Sequence, residues 1–392
     1  MEAAQYDLIV VGGGPAGSAC AITAARLHAK VLLLEKDRFP RQKVCGEFVS
    51  PESLGLLHGL LKERLLKERL LRDGLLKEEP LKDGQLTNGV LKDTLQNDDR
   101  FCSAPQVLSS RIFLDNKSLT LPVSPAAQSI PRFDLDPALF RAAQNNGATA
   151  LEGIAVSEVR RSDLFHVVAA EKTYTARAVV NATGRWSRLT QFDVAGKDKW
   201  LGLKAHFSES SPPQSVDLYF FPGGYCGVTP VSERSVNACA MVRSDVAHTL
   251  EEVFAKEPHL WQRSRAWQPL FDTVTTSPLY FREPETAYDG MLLAGDAAGF
   301  IDPFAGDGIS LALQSGTLAA ESIVPFLRGS CSMEQAHRQY RAAYRKRFIA
   351  AFRNAARLRA ALAAPRWVRS AAWAFAAVPG VGKMLVRGTR AR

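Results

Sequence analysis

Val10-Val11-Gly12-Gly13-Gly14-Pro15-Ala16-Gly17 follows an apolar run that begins at Tyr6. After it come helix-forming residues and then Val31-Leu32-Leu33-Leu34, a continuous apolar run of the kind buried on both faces of a parallel sheet. In Gly12-x-Gly14-x-x-Gly17 the first glycine permits the tight turn and the second lets backbone approach a pyrophosphate. The third lets helix and strand pack closely. Free N–H groups at the helix start, with the helix dipole behind them, suit phosphate charge, and Pro15 and Ala16 belong to this site. Glu35 closes the second strand 18 residues after Gly17, where an acid accepts hydrogen bonds from an adenosine ribose, with Lys36 beside it.

Far downstream, Leu293-Ala294-Gly295-Asp296-Ala297-Ala298-Gly299 runs into Phe300-Ile301-Asp302-Pro303-Phe304-Ala305-Gly306-Asp307-Gly308. The segment follows another apolar strand, Met291 to Ala294. An aspartate at position 296 suits the ribityl hydroxyls of a flavin. Gly306-Asp307-Gly308, with Pro303 ahead and Ile309 behind, starts a helix whose free N–H groups suit the N1–C2=O edge of the flavin ring. Each segment alone is a weak hint. Together, in this order, they read as the two halves of one site for FAD rather than NAD.

The 392 residues suffice for one large core or two smaller ones. With 46% hydrophobic and 23% charged residues the composition is that of a globular protein, and no run of about 18 apolar residues offers a membrane span. Met1-Glu2-Ala3-Ala4-Gln5 leads directly into the first strand, leaving no room there for a signal peptide. The six cysteines form no Cys-x-x-Cys pair and no zinc spacing, which suits reduced thiols, a cytoplasmic location and no metal site. The net charge of +9 is uneven. Residues 331–392 hold fourteen Lys+Arg against the single acid Glu334, so this tail carries +13 and the body −4. No nucleic-acid module accompanies the charge, so an anionic membrane surface, approached from the inner face, is the better partner for the tail.

The chain divides into an FAD-binding part (1–59), a low-complexity insertion (60–100), a second FAD-binding part with a hairpin (101–195), an antiparallel substrate domain (196–285), a third FAD-binding part (286–330) and a basic helical tail (331–392). The insertion repeats pentads such as LLKER and LLRDG with leucine at every fifth place. A five-residue step advances about 140° around an α-helix, so these leucines form no single stripe. The reading is a non-catalytic excursion, helical to about Asp73 and mobile beyond it, with a partner surface as the alternative. Ser109 to Leu121 reads as a hairpin and Pro137 to Gly147 as a short helix. Trp200 to Val242 reads as several antiparallel strands, and Gly308 to Leu327 and Met333 to Arg359 as helices.

GGGPAG, Glu35, Phe39-Pro40-Arg41-x-Lys43-x-Cys45-Gly46-Glu47, Asn181-Ala182-Thr183-Gly184 and GDAAGFIDPFAGDGISLALQSG together resemble one family. It is the superfamily of FAD-dependent monooxygenases, halogenases and geranylgeranyl reductases, and the resemblance covers most of residues 5 to 330. It implies an α/β fold. A Rossmann-like FAD-binding domain carries an antiparallel-sheet substrate domain, as in p-hydroxybenzoate hydroxylase, and a helical C-terminal tail follows. It also places the stretch from Arg41 to Glu47 close to the flavin and gives Arg132, ahead of a short helix, a contact with the cofactor.

Departures from the family pattern narrow the reaction. Gly224-Tyr225-Cys226-Gly227-Val228-Thr229-Pro230 lacks both tryptophans of the tryptophan-halogenase signature. Thr183-Gly184 stands where aromatic hydroxylases have an Asp-Gly turn serving FAD and NADPH, which leaves open whether NADPH or another donor, such as a separate reductase, supplies electrons. The leading expectation is a monooxygenase-type FAD oxidoreductase acting on a hydrophobic or aromatic small molecule. The alternatives are geranylgeranyl-reductase-like saturation of isoprenoid double bonds and a flavin-binding accessory protein without turnover.

Cys45 reads as a flavin-proximal thiol (redox partner, proton donor or covalent anchor) or as a small residue packed beneath the cofactor. Glu47 reads as a general acid or base, or as the partner of Arg41 or Lys43 in an ion pair. His206 falls on a substrate-side strand as a core or rim residue. In the tail, arginines interleave with Tyr340, Tyr344, Phe348 and Phe352. That pattern fits a helix lying in a membrane interface or one packed on its own body.

Overall fold

The computed structural model describes residues 5–62, 103–185, 188–190, 199–366 and 369. Most of the pentad stretch, from position 63 onward, lies outside the described residues, as do Trp186, Trp367 and Trp373.

Strand β1 (Gln5–Val11), helix α1 (Pro15–Arg26) and strand β2 (Val31–Leu34) form the expected parallel unit. Then follow β3 (Phe48–Val49), α2 (Pro51–Leu61), the hairpin β4 (Gln106–Leu114) and β5 (Lys117–Ser129), and α3 (Arg132–Asn145). Strands β6 (Thr149–Leu151), β7 (Val156–Arg161), β8 (Phe165–Ala169) and β9 (Lys172–Asn181) return the chain to the first sheet. Strands β10 (Trp200–Ser208), β11 (Ser215–Phe221), β12 (Gly224–Ser232) and β13 (Ser235–Arg243) form the middle of the second, with β11, β12 and β13 in sequence and β10 returning beside β13. Two short helices, α4 (Leu250–Phe254) and α5 (Pro258–Ser264), precede β14 (Val274–Leu279), β15 (Ala287–Tyr288) and β16 (Met291–Leu293). Helices α6 (Gly308–Leu327) and α7 (Met333–Ala363) end the described elements.

The first sheet has the order β15-β16-β9-β1-β2-β6, with β1, β2, β6, β9 and β16 parallel and the β7–β8 pair joined to β9. Alternation along β1 sends Leu8 and Val10 toward the helices α1, α3 and α6, while Ile9 and Val11 pack with Phe165 and Val167. Helices α1 and α6 meet backbone to backbone. A Cβ at Gly316 would stand 2.0 Å from the carbonyl oxygen of Ala16, and one at Gly17 would stand 1.7 Å from that of Gly12. Only glycine fits at either place, which is why both halves of the glycine pattern share one wall.

The second sheet has the order β14-β10-β13-β12-β11-β4-β5-β3 and is antiparallel except where β4 lies parallel to β11. The hairpin assigned to the FAD-binding part joins this second sheet, because strand patterning reports a half-buried strand and not the sheet it joins. Helix α3 also begins earlier than expected, at Arg132, with Pro137 inside it.

Helix α7 is capped by Ser332, whose hydroxyl accepts the Gln335 N–H while the Gln335 side chain accepts the Ser332 N–H. Tyr340, Tyr344, Phe348 and Phe352 are buried against α6 and the first sheet, and the Tyr340 hydroxyl donates to the Leu293 carbonyl at 2.7 Å. The aromatic face therefore packs on the body and is not offered to a membrane. Among the described residues no helix is long and apolar enough to cross one.

Candidate active site

One cavity of about 1140 Å³ runs between the two sheets, above the upper range of roughly 300–1,000 Å³ for a single small-ligand pocket. Its two ends differ in chemistry. One end is lined by Gly12, Gly14, Pro15, Ala16, Glu35 and Lys36, joined by Arg41, Arg132, Ala182, Thr183 and Gly184. The downstream segment adds Gly295, Asp296, Pro303, Gly306, Gly308 and Ile309 to the same walls. Residues almost 300 positions apart thus share one groove, as the two glycine patterns required. Of the expected cofactor residues, Gly17 serves by packing beneath the turn. Asp307 departs from expectation, since its fully buried carboxylate accepts the Ser50 hydroxyl at 3.2 Å and does not line the cavity.

The groove fits a dinucleotide on its own geometry. The N-terminal turns of α1 and α6 both open on it, each without a side-chain cap, so their first N–H groups are available to a ligand. A Cβ built on Gly46, Gly184 or Gly308 meets nothing within 4 Å, so bare backbone faces open space at three points of the wall. The Arg132 guanidinium stands 3.6 Å from where a Gly14 Cβ would be, in front of the α1 terminus. Burial works against its charge, but Asp136, at 2.5 and 2.8 Å, raises its pKa and holds it cationic. Glu35 is fixed by the Gly13 and Asp37 N–H groups at 2.7 and 2.9 Å and by Arg41 at 3.2 Å. Asp296 faces the groove with Arg185 at 3.7 Å, and Arg185 lies 4.3 Å over the Phe300 ring.

Between groove and second sheet lies the segment from Arg41 to Glu47. Arg41 pairs with Asp136 at 2.7 Å and with Asp37 and Glu35 at 3.2 Å, and Lys43 with Asp37 at 2.9 Å. Neither reaches Glu47, which corrects the pairing considered for it. Glu47 is fully buried in the left-handed region at φ 58°. Its carboxylate accepts from Lys204 Nζ at 2.5 Å and from the Arg132 N–H at 3.0 Å, and lies 2.7 Å from His206 Nε2. A strained non-glycine backbone persists only where its surroundings over-determine it, and here two β10 side chains do so. Burial tends to raise the Glu47 pKa, but the His206 hydrogen bond and the Lys204 charge hold it below the ordinary carboxylate value.

The neighbouring carbonyls are held as firmly. Thr229 donates to Gly46 O at 2.8 Å and Asn237 to Cys45 O at 2.9 Å. The Cys45 sulfur accepts the Glu47 N–H at 3.3 Å and lines the cavity, and burial raises its pKa although Arg132 opposes this. Lys204, Thr229 and Asn237 escaped the sequence reading. The one available signal was a lysine inside the otherwise apolar run Leu201-Gly202-Leu203-Lys204-Ala205, where a buried charge demands a partner.

The far end is an apolar chamber. Ile112, Leu121, Leu218, Phe220, Met241 and Phe304 are among its walls. Among the described residues no group of three His, Cys, Asp or Glu is placed to hold a metal.

A two-sheet fold with a dinucleotide groove on a parallel sheet, opening into an apolar chamber, defines an FAD-binding flavoprotein. The chain belongs to the family described as FAD binding domain, whose pattern matches residues 5–355. It is 26% identical over 347 residues to the Menaquinone reductase of Mycobacterium tuberculosis, covering 80% of this chain and 76% of that protein. It is 24% identical over 336 residues to Conditioned medium factor receptor 1 of Dictyostelium discoideum and spans 63% of that protein's length. Among solved structures it resembles the flavin-dependent brominase Bmp2, at TM-score 0.76 and 20% identity over 98% of this chain and 93% of that one. It also resembles a geranylgeranyl bacteriochlorophyll reductase-like protein from Thermoplasma acidophilum, at TM-score 0.73 and 21% identity over 98% and 96%. The likenesses to solved structures establish the fold, and the protein is an FAD-dependent enzyme of the oxidoreductase type.

Proposed function

We propose that this protein is an FAD-dependent reductase that saturates carbon–carbon double bonds of an isoprenoid chain. The carrying observation is the Cys45 thiol, which lines the cavity where the flavin groove meets the apolar chamber and which burial keeps protonated. Saturating a double bond needs a hydride at one carbon and a proton at the other. FAD supplies hydride transfer when bound. Cys45 Sγ–H holds the proton, and Arg132 offsets the charge left on the sulfur. The Glu47 N–H fixes the sulfur, Asn237 and Thr229 hold the Cys45 and Gly46 carbonyls, and the apolar chamber receives the chain. A protonated thiol at this junction suits saturation of a double bond, which favours the reductase over the monooxygenase expected first.

The test is anaerobic. Protein reduced by light is mixed with a prenylated quinone, and flavin absorbance and product mass are followed. Reoxidation of the flavin with a product that stays two hydrogens heavier after the quinol ring is reoxidised in air, the gain lying in the side chain, supports the proposal. An inert substrate without oxygen, with label incorporated from isotopic dioxygen, sinks it and restores the monooxygenase.

Two partners belong to the same reading. Arg341, Arg345, Lys346, Arg347, Arg353 and Arg357 are exposed on α7, and among the described residues no acid pairs with them. We assign this face to an anionic lipid surface that holds the oily substrate. Salt-sensitive co-sedimentation with phosphatidylglycerol vesicles tests it, and binding equal to that of neutral vesicles refutes it. With Thr183 at the turn, a separate reductase supplies the electrons; rapid bleaching of the bound flavin by NADPH alone would exclude that partner.

A further inference from the structure

Helix α7 changes partner along its length. Its first six turns bury Tyr340, Tyr344, Phe348 and Phe352 in the flavin-side core, whereas Leu358 and Leu362 join the cluster of Phe220, Tyr225, Met241, Leu279, Phe300 and Phe304. These two leucines, one turn apart, line the cavity together with Ala361 and Arg369. Ala360 on the same turn is exposed, so the helix stands between chamber and solvent.

Two ion pairs fasten this end. Arg359 pairs with Asp302, in the loop whose Ile301, Pro303 and Phe304 line the cavity, and lies 3.8 Å over the Phe281 ring. Phe281 in turn stacks on Phe300 at 5.4 Å. Arg369 reaches the β4–β5 turn, with Nη2 and Nε on Asp115 at 2.6 and 2.9 Å, and its Nη1 donates back to the Ala364 carbonyl at 2.9 Å. The arm is thus tied to the flavin loop on one side and to the substrate sheet on the other.

We propose that Leu358 and Leu362 form the end wall of the chamber and set the length of apolar chain that the enzyme accepts. The inference rests on the isoprenoid reading above. A linear chain lies with its reactive bond at Cys45 and its tail against α7. A larger side chain at either leucine shortens the chamber and a smaller one lengthens it.

The experiment measures dissociation constants of holoenzyme for prenylated benzoquinones of graded side-chain length, by perturbation of the flavin spectrum. Leu358→Trp and Leu362→Trp should weaken the longest chains roughly tenfold or more and leave the shortest unchanged, while Leu358→Ala and Leu362→Ala should extend the accepted length. Ala360→Trp, on the outer face of the same turn, should leave the profile unaltered. Equal weakening at every length, or no change in any variant, overturns the end wall. A wild-type protein that binds none of the quinones overturns the isoprenoid substrate and the end wall with it.

Discussion

The ammonium nitrogen of Lys204 lies 2.5 Å from Oε1 of Glu47, and neither side chain has any exposed surface. The strand β10 is thereby bonded to the loop that carries Cys45. Breaking a buried pair by removing one partner costs about 3–5 kcal/mol, because the other charge stays buried alone. Lys204→Met and Glu47→Gln should each lower stability by about that amount, and the double variant by clearly less than their sum. Chemical denaturation of the four proteins measures the coupling; simple additivity would show that the contact carries no energy.

Asp302 and Glu47 titrate in opposite senses. Burial pushes the Asp302 carboxyl up to about 7 although Arg359 pulls it down. An acid held above its unfolded value of about 3.9 binds its proton more tightly in the folded state. Its contribution is present at low pH and is lost as the pH rises from about 4 to about 7. Asp302→Asn should flatten that decline in melting temperature. The lowered pKa of Glu47 acts the other way, giving stability above about pH 4.3 that disappears as the solution is acidified further. Thermal melts across this range separate the two, since Glu47→Gln should alter only the acid limb.

Two glycine substitutions should have different consequences. A methyl at Gly17 meets backbone at 1.7 Å, whereas a side chain at Gly308 enters open space that the ligand needs. Gly17→Ala should lower the melting temperature of the apoprotein. Gly308→Val should leave it within a few degrees but abolish flavin retention, read as the ratio of visible to ultraviolet absorbance. Full flavin content in Gly308→Val would remove α6 from the cofactor site.

Cys45→Ser keeps the size of the side chain and replaces the thiol by a far weaker acid. Flavin content should be unchanged, while anaerobic saturation of the side chain of a prenylated quinone, followed by product mass after the quinol is reoxidised, should slow by about a hundredfold or more. An unchanged rate would leave Cys45 as packing only.

The cofactor half of the site was readable because its chemistry is local. Each glycine pattern lies within a few residues of the strand and helix it joins, and α6 runs from Gly308 to Leu327 as expected. The contacts that aim Cys45 were not readable. They join positions 157 to 192 residues apart, from Glu47 to Lys204 and from Cys45 to Asn237. The alternation that marks a strand says nothing of which loop its side chains will meet. The tail illustrates the same limit. Its 3.6-residue period identified the helix, but the period is identical for a face on lipid and a face on protein, and only the position of α6 decides for Tyr344 and Phe348.

The contact of Gly316 with Ala16 has a consequence in time. Ribosomes lengthen a chain at about 5–20 residues per second, so Gly316 follows Ala16 by roughly 15 to 60 s. During that interval the first helix has been made but the helix that must lie against its backbone has not. The nascent protein therefore cannot hold its flavin until the second wall arrives, and cofactor capture is a late event in its biosynthesis.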